Sequence, residues 1–79
     1  MKATMTSTDR VLDIKDPQGR PAQARVWEGV SEAGIPFTAY VTLVQVATGA
    51  DQAEFARELQ EHKQPSPGTI RAIDARFIL

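Results

Sequence analysis

Four acidic side chains are the residues whose types and spacing most plainly suggest an activity. Asp51, Glu54, Glu58 and Glu61, here called the acidic row, follow one another at intervals of three, four and three residues. On a helix this spacing places them in one stripe roughly 80° wide, because each residue turns about 100°. Carboxylates at one-turn spacing can engage Arg and Lys side chains that otherwise hold phosphates. We predict that the acidic row binds a basic partner; a solvated helix face without a partner is the alternative.

Two aromatic side chains form a second candidate site. If Val26 faces the core, Arg25 and Trp27 point outward from the same strand, and Tyr40 is expected to point outward from the next one. Such a face could stack the bases of single-stranded nucleic acid or anchor a protein partner. We therefore add Trp27 and Tyr40 to the predicted partner-binding residues. In the alternative interpretation, Trp27 belongs to the core and Val26 lies outside.

Residues for catalysis or metal binding are scarce in this sequence. His62 is the single histidine and cysteine is absent, so neither a zinc site nor a nucleophile–base pair is indicated. The five glycines are scattered and form no phosphate-binding loop. We predict no catalytic, cofactor-binding or metal-binding residues and a protein that is not an enzyme.

The composition predicts one small domain, 1–79, whose first nine residues form a flexible tail. The 42% hydrophobic content suits a globular chain, and the net charge of −1 argues neither for nor against nucleic acid. No apolar run is long enough to cross a membrane, and residues 1–9 lack the apolar stretch of a secretory signal. The expected location is the cytoplasm.

The elements that must position these residues are three strands, a helix and a final strand. Strands are predicted at 11–15, 22–30 and 35–47, with a type I turn at 16–19 joining the first two. A helix is predicted at 51–62, capped by Asp51 and anchored by Phe55 and Leu59. Segment 69–79 fits either a strand or a helix, and we favour a strand.

This β-β-β-α-β order predicts an α+β fold. We expect one antiparallel sheet of about four strands with a single helix packed on it, because that arrangement buries both apolar faces.

Several short motifs from Arg25 onward resemble those of small proteins from phages and mobile elements of Proteobacteria. The size and layout also resemble type I-C anti-CRISPR proteins, which bind the CRISPR surveillance complex and prevent it from engaging target DNA. None of the motifs is a catalytic signature. They are Val26-Trp27-Glu28-Gly29, Gly34-Ile35-Pro36, Phe55 with Glu58-Leu59-Gln60-Glu61-His62, Pro65-Ser66-Pro67, and Ile78-Leu79.

The resemblance implies an inhibitor that acts in the cytoplasm of a bacterial host. Its expected partners are protein subunits of the surveillance complex, with no cofactor, no small-molecule substrate, no membrane and no direct nucleic-acid contact; a homodimer is possible. One alternative is a nucleic-acid-binding accessory protein of a mobile element that uses an exposed Trp/Tyr/Arg sheet face. Another is an assembly protein that oligomerises through its last strand.

Overall fold

A computed structural model describes residues 1–75, including the side chains of residues 1–73. The described chain is an α+β fold with one three-stranded antiparallel sheet, in which β2 lies between β1 and β3. Two helices follow the sheet in sequence. The elements are β1 (Ala3–Lys15), β2 (Pro21–Ser31), β3 (Pro36–Val41), α1 (Gln52–Glu58) and α2 (Pro67–Ala75).

Two tight turns connect the three strands. In the first, the Gly19 amide donates to the Asp16 carbonyl at 2.8 Å, and the Asp16 carboxylate accepts from the Gln18 and Arg20 amides. In the second, the Gly34 amide donates to the Ser31 carbonyl at 2.9 Å. Gly19 and Gly34 have φ near +80°, which other residues adopt at a cost. The predicted turn at 16–19 is therefore present.

A bulge interrupts β1 at residues 8–10. The register runs from Ala3 opposite Ser31 to Ser7 opposite Trp27, and resumes with Val11 opposite Arg25. Thr8 in this bulge is fully buried, and its hydroxyl donates to the Val26 carbonyl at 2.7 Å. Because the bulge carries the β1 backbone out of register, a side-chain hydroxyl satisfies this carbonyl of β2.

A distant segment closes the outer side of the bulge. The Lys63 amide donates to the Ser7 carbonyl at 3.2 Å, and the Asp9 amide donates to the Lys63 carbonyl at 2.8 Å. The buried Ser7 hydroxyl donates to the Glu61 carbonyl at 3.1 Å. This short parallel bridge covers the middle of the outer edge of β1.

The buried core is small and lies between the sheet and α2. Among the described residues, its apolar members are Ala24, Val26 and Ile73. Thr69 is also buried and lies four residues before Ile73, so both point from one face of α2, which lies against β3. Helix α1 has no buried residue.

Two predicted strand boundaries are wrong. The expected tail at 1–9 is strand from Ala3 onward, because its backbone pairs with β2 despite its polar side chains. The strand predicted at 35–47 ends at Val41, and the apolar residues beyond it form an irregular segment that faces α1.

The prediction of a single helix and a fourth strand is also wrong. The helix predicted at 51–62 ends at Glu58, because residues 59–61 turn and Lys63 then pairs with β1. Residues 69–75 of the predicted last strand lie in α2, which has Pro67 at its first position and the Ile70 amide donating to the Ser66 carbonyl. Residues 76–79 of that prediction lie outside the described residues.

Candidate functional site

Asp51, the first member of the acidic row, is the N-cap of α1, as predicted. Its backbone is extended and its carboxylate accepts from the Glu54 amide at 2.9 Å. This bond satisfies one of the free donors at the start of the helix. The Asp51 carboxylate therefore has a structural role, and any partner would have to contact it from its solvent side.

Arg57 links two other members of the acidic row. Its guanidinium donates to both carboxylate oxygens of Glu54, at 2.6 and 3.0 Å, and also to Glu61. These hydrogen bonds lower the pKa of Glu54 and raise the pKa of Arg57. All three side chains remain exposed, so the pairs order the surface while leaving it open to a partner.

Glu58 makes no ion pair with another described residue and is exposed. The acidic row has four carboxylates against the one guanidinium of Arg57, which leaves three negative charges on this surface (4 − 1). The predicted binding role of the acidic row stays a prediction. What the structure adds is that Glu54 and Glu61 are held in place by Arg57.

The predicted sharing of one sheet face by Trp27 and Tyr40 is wrong. Tyr40 is directly opposite Val26, whereas Trp27 is opposite Ala39. Because directly opposite residues point to the same side of a sheet and neighbours alternate, Tyr40 shares a face with Val26 while Trp27 lies on the other. We call these the Val26 face and the Trp27 face. Arg25 is on the Trp27 face, so Arg25 and Trp27 share one face as predicted, whereas Tyr40 does not share it.

An open groove of about 320 Å³ lies on the Trp27 face. One wall is the sheet, and the other is formed by Leu59, at the end of α1, and by the segment after β3. Leu59 directly follows Glu58, so the groove adjoins the acidic row. The apolar residues that line the groove are Val11, Ala24, Trp27, Val41, Leu43, Val44 and Leu59, and its polar ones are Gln23, Arg25 and Thr42.

Arg25 has a fixed position at the edge of this groove. Its guanidinium donates to the Thr8 carbonyl at 2.9 Å, inside the bulge of β1. The bond holds one end of the guanidinium against the backbone, and a planar guanidinium has further N–H donors. Arg25 can therefore support Trp27 in binding while also stabilising the bulge.

Glu28 is the centre of a second polar cluster, on the Val26 face. Its side chain is 13% exposed and pairs with the ammonium of Lys63. Its other carboxylate oxygen accepts from the Ser66 amide at 2.7 Å. These contacts, led by Lys63 and followed by the Thr69 hydroxyl, lower the pKa of Glu28 to about 2. Glu28 thus attaches the start of α2 to the sheet.

Arg57 and Glu28 are the two polar residues that sequence reasoning missed. Arg57 could have been found, because it lies three residues after Glu54 and four before Glu61, the spacings at which charged side chains meet on a helix. Glu28 carried no such signal. Its partners Lys63 and Ser66 are more than thirty residues away.

Within residues 1–73 no three His, Cys, Asp or Glu side chains are grouped as a metal ion would require. Neither helix of the described chain is long and apolar enough to cross a membrane. Every buried side-chain nitrogen or oxygen in this part of the chain has a hydrogen-bond partner.

Comparison with known proteins identifies no relative. No protein-family model, no curated protein and no solved structure matches the chain.

Proposed function

We propose that this protein is a stoichiometric inhibitor that binds the type I-C CRISPR surveillance complex through its surface and blocks the binding of target DNA. The observation that carries the binding mode is the groove on the Trp27 face, with the acidic row beside it. An apolar centre with a charged rim is the usual composition of a protein–protein interface.

The groove supplies the anchor of the proposed interface. Trp27 lies in it, half-buried, among aliphatic side chains. Aromatic residues in such surroundings contribute most of the binding energy in many interfaces. Tyr40 lies on the opposite face of the sheet, so the proposal assigns this role to Trp27 and leaves Tyr40 outside the same contact area.

The acidic row supplies charge complementarity. A surveillance complex holds guide RNA and target DNA in positively charged channels, and three net negative charges at a groove would favour such a surface. Arg57 fixes two of the carboxylates before binding, which lowers the entropy lost on association. The choice of the type I-C complex as target rests on the resemblance described above.

Charge reversal of the acidic row tests this proposal. We expect Glu54→Lys/Glu58→Lys/Glu61→Lys to raise the concentration needed to block DNA binding by at least about tenfold, because the rim would then repel a basic partner. The measurement is a gel-shift titration with purified type I-C complex and target duplex, preincubated with the wild-type or variant protein.

The matched control changes the same charge elsewhere. Glu32→Lys, at the exposed turn between β2 and β3, reverses one acid that does not line the groove; it is compared with Glu58→Lys and is expected to inhibit like the wild type. Equal loss in both variants would mean that only total charge matters. Unchanged inhibition by the acidic-row variant would remove that row from the mechanism, and a wild type that leaves DNA binding intact would contradict the proposal itself.

Single-stranded DNA is the competing ligand for the same face, because Arg25 and Trp27 lie together there. Titrating the protein with an oligonucleotide while following Trp27 fluorescence separates the two functions. Quenching that weakens steeply with salt would favour nucleic-acid binding; an unchanged spectrum is expected under our proposal.

A further inference from the structure

The two edges of the sheet are protected to different degrees. The edge of β1 has a bulge, is bridged at its middle by Lys63, and carries charged residues including Asp9, Arg10 and Asp13. Bulges and charges are the usual means by which edge strands avoid pairing with another chain. β3, in contrast, contains no charged residue and no register shift.

The hydrogen-bond pattern shows which groups β3 presents outward. The Ser31 amide donates to the Ile35 carbonyl, and hydrogen-bonded pairs alternate along an antiparallel ladder. The inward groups of β3 are therefore those of Phe37, Ala39 and Val41. The amides and carbonyls of Thr38 and Tyr40 point outward, and no described backbone group bonds to them.

Pro36 fits the same pattern. Its nitrogen would also point outward, where the missing N–H costs no bond to β2.

We propose that β3 pairs antiparallel with β3 of a second copy of this chain, with Ala39 on the twofold axis. In this register Thr38 of one copy exchanges hydrogen bonds with Tyr40 of the other, and the same two bonds recur across the axis. Four bonds form from groups that are otherwise free among the described residues. The two sheets become one sheet of six strands.

The exposed apolar residues support this register over its neighbours. Ile35 and Leu43 are 62% and 82% exposed, and they lie four residues before and four residues after Ala39. With Ala39 on the axis, Phe37 of one copy is opposite Val41 of the other within β3, and Ile35 and Leu43 lie just beyond the two ends of the strand. Aromatic and branched side chains opposite one another stabilise paired strands. A partner of different sequence would not account for this symmetry about Ala39.

The first test measures mass in solution. We expect the wild type to sediment at twice the 8.7 kDa of one chain, and Thr38→Pro to weaken the dimer by about ten- to a hundredfold. This proline removes only an outward amide, so β2–β3 pairing is kept. The control is Asp13→Pro on the edge of β1, whose amide also points outward and whose dimer should match the wild type.

The second test determines the register of the β3–β3 pairing. It does not require the proline variant to fold. Residues on the axis form a non-hydrogen-bonded pair with Cα atoms about 4.5 Å apart, a distance that a disulfide spans. The chain has no cysteine, so Ala39→Cys should form a covalent dimer under mild oxidation. Thr38→Cys should not, because its symmetry mate is two residues out of register.

Three outcomes would overturn the proposal. They are a wild type that stays monomeric at every concentration, a dimer unaffected by Thr38→Pro, and a Thr38→Cys variant that cross-links as fully as Ala39→Cys. Inhibition of DNA binding is measured separately, so failure of the dimer leaves the proposed function standing and failure of the function leaves the dimer standing.

Discussion

Thr8 shows how one side chain lets a strand leave its register without leaving a polar group unsatisfied. Its hydroxyl bonds the Val26 carbonyl, its carbonyl accepts from Arg25, and its side chain is fully buried. A buried carbonyl without a partner costs about 1–3 kcal/mol. The Thr8 hydroxyl therefore offsets one of the costs of the bulge.

We expect Thr8→Val to lower the free energy of unfolding by about 1–3 kcal/mol, because valine keeps the shape of threonine and removes its donor. Thr8→Ser, which keeps the hydroxyl, should lose less. Urea denaturation followed by circular dichroism measures both. If valine proves as stable as threonine, the Val26 carbonyl does not depend on this bond.

At the scale of elements, α1 is held mainly by its ends and its surface. It has no buried residue, Asp51 caps its start, and Arg57 joins Glu54 to Glu61 across its last turn. Helices without a buried face open locally at low free energy. Glu54 and Glu58 of the acidic row thus lie on one of the least stabilised elements of the described chain.

We predict that Asp51→Ala weakens α1 alone, by about 1 kcal/mol, because one helix amide loses its acceptor. Hydrogen exchange should accelerate at the Glu54 and Phe55 amides while the amides of β2 keep their rates. Asp51→Asn, which also caps helices, is the control. A matching acceleration in β2 would show that α1 unfolds only together with the sheet.

The elements that could be predicted from sequence are those with strong local signals. The turn at 16–19 has Asp, Pro and Gly at the positions that such a turn favours, and Asp51 is a typical N-cap. The bulge of β1 could not be predicted, because it depends on Lys63 and Val26, which are distant in sequence. Helix α2 also had a local signal, because Ser66 followed by Pro67 is typical of a helix start. The alternation of Ile73, Ala75 and Phe77 favoured a strand instead, and the prediction followed that alternation.

The candidate site was predicted only in part, for the same reason. Helical spacing placed Asp51, Glu54 and Glu58 at α1, but Glu61 lies beyond the end of that helix. The placement of Tyr40 depends on its register against Val26, which a single strand pattern does not determine. The groove joins residues of four separate segments of the chain. No local pattern predicts that Leu59 would face Trp27.

At the scale of the whole molecule, Glu28 joins the two halves of the chain. Its carboxylate lies on the central strand and holds both Lys63 and Ser66, which precede α2. A folded-state pKa of about 2, below the ordinary value of 4.5, means that this contact stabilises the fold only while Glu28 is ionised.

We therefore expect stability to fall as the pH drops from about 4.5 to about 2. The unfolded chain takes up a proton at Glu28 before the folded chain does, and the contribution lost is about 2 kcal/mol after allowing for solvent screening. Thermal unfolding between pH 2 and pH 7 measures it, with Glu28→Gln expected to flatten the dependence. Glu32→Gln, at an exposed turn, is the comparison; an unchanged slope in Glu28→Gln would contradict the assignment.

The bridge between Lys63 and β1 also has a consequence for synthesis on the ribosome. Both hairpins can pair once residue 41 has emerged, whereas Ser7 and Asp9 must wait for a segment made more than fifty residues later. Until then the backbone groups of Ser7 and Asp9 in the nascent chain lack their partner Lys63, and contacts between residues so far apart in sequence form slowly. A messenger RNA truncated before codon 63 would yield a product in which these hydrogen bonds to β1 never form.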